Sequence, residues 1–463
     1  MKFSNHTILV EDYPAKDDFL AYSTRTQALV KIDRALKETI DHLPEDLTLL
    51  EAAQQGHIRT LHQMGILVEN EAEEQQKLAQ HLDQLKYSVH KKSFPVTILT
   101  TYACNLKCVY CFQESSRTNE KMSAEVSDQA MDWIKAQLLK QGYEELYVVF
   151  YGGEPLVNKP ILERVAAEMK FWCESRGIAF KFLLQTNGYL MRPELIRQYI
   201  KLGLAQVRIS VDGVGDDHDK NRPLRNGGGS FDVIVQNIID CCDLIKIGIS
   251  VSFDKGDVSH IKRLLDYFEE RKILQKLGRF IYSPIHASLG PKGESEKIIG
   301  SSCMCNYEDK NLVDANTKIR EMMAEKNLPM KNGMSISVCP VTRDNAGLTI
   351  DQHGYLYKCN SMLGHPEFST GHVKDNDYNQ MHGQFVGLDV WRQCPVDCTY
   401  LPMCSGGCRL SSFLKNQNFR TPSCHKPYLN KMAPQLIKEE FDAMTEKKGG
   451  AAAPPSAATI TGQ

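Results

Sequence analysis

The sequence lacks a long apolar run, an export signal and a strong net charge. No apolar stretch reaches the roughly 18 residues that a membrane-spanning helix needs, so we expect no membrane segment. The first residues, Met-Lys-Phe-Ser-Asn-His, do not form a secretory signal pattern, which predicts a cytoplasmic protein. The formal net charge is only -2, so no overall field favours binding to nucleic acid or to an anionic membrane.

Cysteine is the residue type that the chain has in excess. Its 463 residues are otherwise ordinary in composition, with 42% hydrophobic and 24% charged residues, and this length predicts several domains. Fifteen cysteines without an export signal favour metal binding over disulfide bonds. The cysteines are clustered, because three lie in one loop and seven lie between Cys339 and Cys424.

The first cluster is the loop Cys104-Asn-Leu-Lys-Cys108-Val-Tyr-Cys111, which follows the β-like run 96–102. Three thiolates at this spacing can bind three irons of a [4Fe-4S] cube, and the fourth iron is then left without a protein ligand. A structural zinc site usually takes four protein ligands, so the spacing fits zinc poorly. Unligated core cysteines are the remaining alternative, which the spacing disfavours.

Strand-like and helical segments alternate from residue 96 to about residue 285. Repeated βα units predict a parallel sheet with right-handed crossovers, and hence an α/β fold with a partial (β/α)6 TIM barrel. Ligands of such sheets bind at the carboxyl ends of the strands, where we expect the cysteine loop to lie. The predicted strands are 96–102, 145–151, 180–186, 206–212, 246–254 and 279–285.

Other segments flank the predicted barrel, which covers residues 93–290. Residues 1–92 predict a small winged-helix-like α+β module that is either a peptide-recognition element or a structural extension. A linker is expected over 291–335 and a C-terminal cysteine-rich domain over 336–440. Residues 441–463 have no apolar periodicity, so we expect a disordered tail.

The cysteine loop, with Tyr110 and Phe112 on either side of Cys111, resembles the signature of the radical S-adenosylmethionine (SAM) superfamily. In that family the open iron binds the amino and carboxylate groups of SAM, and one electron cleaves SAM to methionine and a 5'-deoxyadenosyl radical. The radical abstracts a hydrogen atom from the substrate, and the protein positions the reactants. The resemblance implies SAM and a [4Fe-4S] cluster as cofactors, and an electron donor such as flavodoxin or ferredoxin as a partner.

The resemblance extends to segments that follow the next strands. Tyr151-Gly152-Gly153-Glu154-Pro155 resembles the GGEP motif of the family, which holds the SAM amino group. Two later segments resemble family positions near the ribose and methionyl parts of SAM. Arg222 is a candidate for the SAM carboxylate, because guanidinium binds carboxylate in a bidentate fork; a solvated surface arginine is the alternative. The implied cofactor-binding residues are Tyr110, Phe112, Gly152, Gly153, Glu154, Gln185, Asn187, Ser210, Asp212 and Arg222.

The second cysteine cluster begins with Cys339 and Cys359, which flank a predicted hairpin with its turn at Gly354. Together with the five cysteines that follow, this spacing resembles the SPASM extension of radical SAM enzymes. It departs from that pattern in one place, because three residues rather than two separate Cys394 from Cys398.

The SPASM resemblance implies two auxiliary [4Fe-4S] clusters. The first would be held by Cys394, Cys398, Cys404 and Cys424. The second would be held by Cys339, Cys359 and Cys408, with a fourth ligand that is Cys303, Cys305, a substrate thiolate or absent. A pair of zinc sites is the alternative for this lobe.

Three classes of function follow from these patterns. The first is a peptide maturase that abstracts hydrogen from a residue of a ribosomally made precursor peptide, forming a thioether, a carbon–carbon crosslink or an oxidised residue. The second is an anaerobic sulfatase-maturating enzyme, which makes formylglycine. Members of that group place an aspartate after the hairpin cysteine, whereas this chain has Asn360, and an amide is a poor general base. The third is an iron–sulfur electron carrier, which needs neither the GGEP loop nor an open iron.

Overall fold

The structure is a computed structural model that describes most of the chain. The described residues are 1–87, 92–114, 117–254, 256–285, 288–289, 295–296, 310–330, 334, 338–344, 347–375, 377–448 and 457–460. Cys303 and Cys305, two of the predicted alternatives for a cluster ligand, lie outside the described residues. None of the helices in the described ranges combines the length and the apolar composition needed to cross a lipid bilayer.

The N-terminal module combines short strands with three helices. Its strands are β1 Lys2–Phe3, β2 Thr7–Glu11, β3 Asp18–Ser23, β4 Leu29–Asp33 and β5 Leu67–Val68, and its helices are α1 Arg34–Asp41, α2 Ala52–Gln63 and α3 Glu71–Tyr87. Strands β2, β3 and β4 form an antiparallel meander, and β1 pairs with β5. Apolar residues at helical spacing, such as Leu36 and Ile40, are buried against this sheet, which explains why the helices pack on it.

The central part of the chain alternates strands and helices. The strands are β6 Ser93–Leu99, β7 Glu145–Tyr151, β8 Ala179–Thr186, β9 Leu204–Ser210, β10 Ile247–Phe253 and β11 Phe280–Pro284. The helices are α4 Ala124–Gln141, α5 Lys159–Glu174, α6 Pro193–Lys201, α7 Asp216–Asn221, α8 Phe231–Cys241 and α9 Ser259–Glu270. All six predicted strands are therefore present, each within three residues of its predicted bounds.

Local signals explain where these helices begin and end. The Ser123 side chain accepts a hydrogen bond from the Val126 N–H and so caps the start of α4. Gly142 ends the same helix in the left-handed conformation, at φ +66°, which suits glycine. Pro193 occupies the first turn of α6, where its missing N–H costs nothing.

The C-terminal part adds short strands and longer helices. Its strands are β12 Ser288–Leu289, β13 Ser295–Glu296, β14 Leu348–Ile350, β15 Tyr355–Tyr357, β16 Gly371–His372 and β17 Ala457–Ile460. Its helices are α10 Lys310–Glu325, α11 Gln380–Val386, α12 Leu401–Cys404, α13 Arg409–Asn416 and α14 Lys426–Lys448. The predicted hairpin is formed by β14 and β15, which pair antiparallel.

One nine-stranded sheet joins the central and C-terminal parts. Its order is β11-β10-β9-β8-β7-β6-β14-β15-β16, and every pair from β11 to β14 is parallel. The sheet is thus mostly parallel and open at both edges, as the α/β prediction requires. Because β14 pairs with β6, the hairpin between Cys339 and Cys359 lies next to the strand that precedes the cysteine loop. The carboxyl ends of β6 to β9 carry the predicted SAM-binding segments.

The predicted disordered tail begins too early. Helix α14 continues to Lys448, and Phe441 and Met444 pack against the cluster that includes Leu436 and Ile437. Strand β17 pairs in parallel with β4 of the N-terminal module. The charged composition of residues 438–448 conceals this amphipathic packing, because the apolar positions are few and widely spaced.

Candidate functional site

The cysteine loop is held as one strand of a short ribbon. The Lys107 N–H donates to the Pro223 carbonyl at 2.8 Å, and the Val109 N–H donates to the Asn221 carbonyl at 3.0 Å. Leu106 and Leu224 form an antiparallel bridge between the Lys107 bond and a bond of 3.1 Å from the Arg225 N–H to the Asn105 carbonyl. We call residues 105–109 paired with 221–225 the cysteine ribbon. It fixes the backbone that carries Cys104, Cys108 and Cys111.

The three thiols face a cavity at the carboxyl ends of β6 to β9. The cavity has a volume of about 140 Å³ and is open to solvent on one side. Most of the predicted site residues line it: Cys104, Cys108, Tyr110, Cys111, Phe112, Gly152, Gly153, Gln185, Asn187, Ser210 and Arg222. Glu154 and Asp212, which the sequence also predicts as cofactor-binding residues, do not belong to this lining.

The thiols need positive partners in order to ionise. Burial raises the pKa of Cys104 to about 12, and it also raises the pKa of Cys108. Two guanidinium groups lie beside the thiols: Arg117 Nη2 is 3.1 Å from Cys111 Sγ, and Arg222 Nη1 is 3.9 Å from Cys108 Sγ. The donor set of three sulfur ligands at one cavity wall fits an iron–sulfur cube, whose irons would supply the remaining positive charge.

The glycine pair of the GGEP segment touches the start of the cysteine loop. A Cβ atom on Gly153 would lie 2.3 Å from the Tyr102 carbonyl oxygen and 2.4 Å from that of Ala103, so only glycine fits here. The Gly153 N–H donates to the Thr101 carbonyl at 2.9 Å. The loops after β6 and β7 are therefore clasped backbone to backbone, which leaves both glycines on the cavity wall.

Glu154 stands behind the cavity wall and supports it. Its carboxylate accepts hydrogen bonds from the Asn187 N–H at 2.7 Å, from the Thr186 hydroxyl at 2.8 Å and from the Leu156 N–H at 3.0 Å. Complete burial raises the pKa of Glu154 to about 7, although these hydrogen bonds oppose the shift. The role observed for Glu154 is thus to fix the loops after β7 and β8 to each other.

Asn187 connects Glu154 to the cysteine loop. Its Nδ2 donates to Asn105 Oδ1 at 2.8 Å and lies 3.7 Å from Cys104 Sγ. The chain of contacts from Glu154 through Asn187 to Asn105 joins the loops after β7, β8 and β6. These contacts keep the first thiol in register with the cavity.

Asp212 is also a supporting residue, and it orients Arg222. Asp212 Oδ2 accepts from Arg222 Nε at 2.6 Å, and Oδ1 accepts from the Ser252 N–H at 2.7 Å. The Tyr110 hydroxyl also donates to Asp212. Burial lowers the pKa of Arg222, but the charge of Asp212 more than offsets this effect, so the pKa is raised and the guanidinium stays charged. Arg222 lines the cavity and is not a solvated surface arginine.

Sequence reasoning missed four polar residues of the cavity wall: Gln113, Arg117, Tyr151 and Thr186. The Arg117 side chain is only 6% exposed, donates to the Leu106 carbonyl at 2.8 Å and pairs with Glu114 at 3.2 Å. Gln113 is buried, and its Nε2 has no hydrogen-bond partner among the described residues. The only available signal for Arg117 was a basic residue close after a triple-cysteine loop.

The second cysteine cluster, the seven cysteines from Cys339 to Cys424, separates into two groups. The pKa of Cys339 is raised to about 12 by burial, with smaller contributions from the Cys408 and Cys359 thiols. Cys404 has the same pKa for the same reason, and its neighbouring thiols are Cys394, Cys424 and Cys398. The first group, Cys339, Cys359 and Cys408, packs with Tyr151 of the cavity wall in one apolar cluster.

Arg409 lies fully buried at the junction of the two groups. It donates to the carbonyls of Phe419 at 2.7 Å and Gly407 at 3.1 Å, and it also contacts the Gly406 carbonyl. Burial lowers its pKa, and thiols of both groups, Cys339 and Cys404 among them, oppose that shift. No three His, Cys, Asp or Glu side chains in the described part of the chain are arranged to hold a single metal ion.

Comparisons with known proteins agree with this geometry. The model of the radical SAM superfamily matches residues 98–268. Fe-coproporphyrin III synthase of Methanosarcina barkeri is 28% identical over 226 residues, which cover 48% of this chain and 51% of that protein, so the chain spans about half of its length. A cysteine-type anaerobic sulfatase-maturating enzyme of Clostridium novyi is 24% identical over 337 residues, which cover 68% of this chain and 87% of that protein. Mycofactocin maturase MftC of Mycolicibacterium smegmatis is 32% identical but covers only 29% of this chain and 31% of its own.

Two solved structures share the fold. Native anSMEcpe with bound AdoMet and Cp18Cys peptide superposes with a TM-score of 0.58 at 18% identity, covering 76% of this chain and 99% of that chain. Streptococcus suis SuiB bound to the precursor peptide SuiA superposes with a TM-score of 0.52 at 14% identity. The match covers 91% of this chain and 98% of that chain. The match to the radical SAM superfamily model therefore covers residues 98–268, the segment that contains the three-thiol cavity, and the chain shares its fold with these two structures.

Proposed function

We propose that this enzyme modifies a residue of a ribosomally made precursor peptide by radical SAM chemistry. The observation that carries the proposal is that part of the second cysteine cluster lies next to the three-thiol cavity. Cys339, Cys359 and Cys408 share an apolar cluster with Tyr151 of the cavity wall. A substrate between the two would reach both a hydrogen-abstracting centre and an electron acceptor.

Each part of the cavity has its own task in this proposal. Cys104, Cys108 and Cys111 hold the cube, and bound SAM supplies the 5'-deoxyadenosyl radical. Gly152 and Gly153 line the cavity with backbone atoms alone and so offer main-chain polar groups to the amino group of SAM. Arg222 presents its guanidinium beside Cys108, where it can bind the carboxylate of SAM. Glu154 and Asp212 hold these groups in place from behind.

The C-terminal cysteines hold two auxiliary [4Fe-4S] clusters in this proposal. Cys394, Cys398, Cys404 and Cys424 hold one, and Cys339, Cys359 and Cys408 hold the other. The mutual effects of these thiols on their pKa values support the grouping. The extra residue between Cys394 and Cys398 is accommodated in a loop, where Cys398 N–H donates to the Pro395 carbonyl at 3.1 Å.

The N-terminal module serves as the peptide-recognition element. Its contacts with the C-terminal domain are direct: the Thr24 hydroxyl contacts the Thr399 carbonyl at 2.5 Å, and His81 Nε2 lies 3.0 Å from the Pro402 carbonyl oxygen. The first contact falls on the residue that follows Cys398, and the second falls on helix α12. A peptide bound by this module would therefore be held close to the auxiliary-cluster domain.

The second candidate is maturation of a sulfatase, which the long match to a sulfatase-maturating enzyme favours. The residue after Cys359 argues against it. Asn360 Oδ1 accepts a hydrogen bond from the Thr349 hydroxyl at 2.5 Å, so its amide has a structural role in the hairpin. An amide there cannot take a proton at neutral pH.

Mass spectrometry of two candidate substrates separates these functions. Anaerobically reconstituted enzyme, SAM and a reductant are incubated with short precursor peptides encoded near the gene and, separately, with a sulfatase-derived peptide containing the Cys or Ser target. Loss of two hydrogens from a precursor peptide is the expected result. Conversion of the sulfatase peptide to an aldehyde, with no change in any precursor peptide, would establish the second candidate instead.

A further inference from the structure

The cysteine ribbon has an outer face that the cavity does not use. Opposite residues of an antiparallel pair point to the same side, and successive residues alternate between sides. Leu106 is fully buried and Cys108 lines the cavity, so this set faces inward. Lys107 and Val109 belong to the opposite set and are exposed, with Val109 53% exposed.

Arg225 extends the outer face across the ribbon. Its N–H donates to the Asn105 carbonyl at 3.1 Å, and its Nε donates to the Cys104 carbonyl at 2.8 Å, yet its side chain is exposed. The outer face therefore carries two cations around one apolar side chain. It lies on the opposite side of the ribbon backbone from Cys108, which lines the cavity.

Two acidic residues of the neighbouring helix α7 are engaged by groups other than Lys107 and Arg225. In helix α7, Asp217 pairs with Arg263 at 2.7 Å. Asp219 accepts hydrogen bonds from the backbone N–H groups of Ser230 and Phe231. Because the whole chain has a net charge of only -2, a local cationic face is what would orient an acidic partner.

We propose that the outer face of the cysteine ribbon, made by Lys107, Val109 and Arg225, is the docking surface for an acidic one-electron carrier protein of the flavodoxin or ferredoxin class. This inference rests on the proposed function, which consumes one electron for each SAM cleaved. The reduced carrier is oxidised by one electron, and the cluster behind the ribbon is reduced by that electron. The ribbon is a thin layer of protein over the three thiols, and electron transfer is fastest across a thin layer. Opposite charges steer the carrier, and the exposed valine supplies an apolar centre for the contact.

The test measures carrier binding separately from chemistry. Biolayer interferometry gives the Kd of reconstituted enzyme for a purified bacterial flavodoxin and for a 2[4Fe-4S] ferredoxin at low salt. The variant Lys107→Glu/Val109→Glu should weaken binding of at least one carrier by about tenfold or more, and that carrier's affinity for the unaltered enzyme should fall with rising salt. Lys107→Glu alone tests the same point with less disturbance of the loop, and iron content confirms that both variants are loaded.

A matched control carries the same change elsewhere. Lys16→Glu/Val396→Glu alters net charge equally, and Val396 is also 53% exposed between two cysteines. It should bind the carriers as the unaltered enzyme does. The ratio of carrier-driven to dithionite-driven release of 5'-deoxyadenosine should fall about tenfold in the ribbon variant, and this ratio corrects for any change in cluster loading.

The outcomes separate this inference from the function on which it rests. Unchanged carrier affinity in both ribbon variants would overturn the docking surface. Equal weakening by the control would overturn it as well, because the effect would then be one of overall charge. Absence of 5'-deoxyadenosine with dithionite in the unaltered enzyme would instead reject the proposed function, and the binding result would still decide the docking surface.

Discussion

Arg117 Nη2 lies 3.1 Å from the Sγ atom of Cys111, inside the wall of the cavity. The side chain is almost fully buried and is held by the Leu106 carbonyl and by Glu114. Charge-assisted N–H···S contacts stabilise the more negative state of the sulfur ligand. Arg117 thus adds a fixed positive charge beside the Cys111 thiol, which the sequence pattern did not identify.

Replacing Arg117 should therefore lower the reduction potential of the SAM-binding cluster. In Arg117→Met the reduced, more negative cluster loses a stabilising cation, so we expect its reduction potential to decrease by roughly 50 mV. For a one-electron couple this is close to a tenfold change in the equilibrium constant of reduction. Redox titration followed by electron paramagnetic resonance measures the potential. Arg164→Met is the control, because Arg164 pairs with Asp128 on a helical surface and should leave the potential unchanged. An unaltered potential in Arg117→Met would mean that the contact has no electrostatic role.

Gly153→Ala should disrupt the clasp between the first two loops. The added methyl would lie 2.3 Å from the Tyr102 carbonyl oxygen, so backbone must move, at a cost of about 3 kcal/mol. Urea unfolding measures the stability, and iron analysis measures the loading of the three-thiol site. Gly56→Ala is the matched control, because Gly56 lies in helix α2 with no atom within 4 Å of the added methyl. That control should gain up to about 1 kcal/mol, and equal stabilities for the two variants would refute the close approach.

Glu154 should make the stability of the cluster-free protein depend on pH. The folded-state pKa is about 7, above the usual 4.5, so the folded state binds the proton more tightly than the unfolded state. The free energy of unfolding should therefore fall as pH rises from about 4.5 to about 7, by about 2–3 kcal/mol. Glu154→Gln cannot titrate and should lack this decrease, although it loses an acceptor for the Asn187 N–H. Urea unfolding at pH 5 and pH 7.5 measures the free energy of unfolding of both proteins. The same change between the two pH values in both proteins would contradict the role of Glu154.

Removal of one auxiliary cysteine group should separate SAM cleavage from peptide modification. Cys359→Ala and Cys394→Ala should each lose about four of the roughly twelve irons that three cubes contain. The three-thiol cavity is intact in both variants, so 5'-deoxyadenosine should still form, while the peptide product falls at least about tenfold. Iron and sulfide analysis with product quantification checks this. Loss of zinc rather than iron would support the alternative of structural zinc sites.

Much of the parallel sheet could be predicted because its signals are local. Strand-like runs alternate with helices that have readable ends, such as Ser123 and Gly142, and the structure places strands within three residues of the predicted bounds. The hairpin at Gly354 was predicted for the same reason. Its parallel pairing with β6 was not, because no residue pattern reports which distant strand will be a neighbour.

Residue roles within motifs were harder to predict than the motifs themselves. Glu154 and Asp212 belong to segments that the sequence assigned to SAM, but their side chains point behind the wall and hold Asn187 and Arg222. A motif fixes the position of the backbone and does not show which side chains reach the ligand. Arg117 and Arg409 were missed because a single arginine has no periodic signal: Arg117 contacts a thiol of its own loop, and Arg409 contacts backbone carbonyls.

The central claim is that SAM docks on an iron that Cys104, Cys108 and Cys111 leave without a protein ligand. The most direct measurement is electron paramagnetic resonance of the reduced, reconstituted enzyme before and after addition of SAM. We expect SAM to change the signal of one cluster, and we expect this change to be absent when the three cysteines are replaced by alanine. A signal that SAM leaves unchanged in the fully loaded enzyme would contradict the claim.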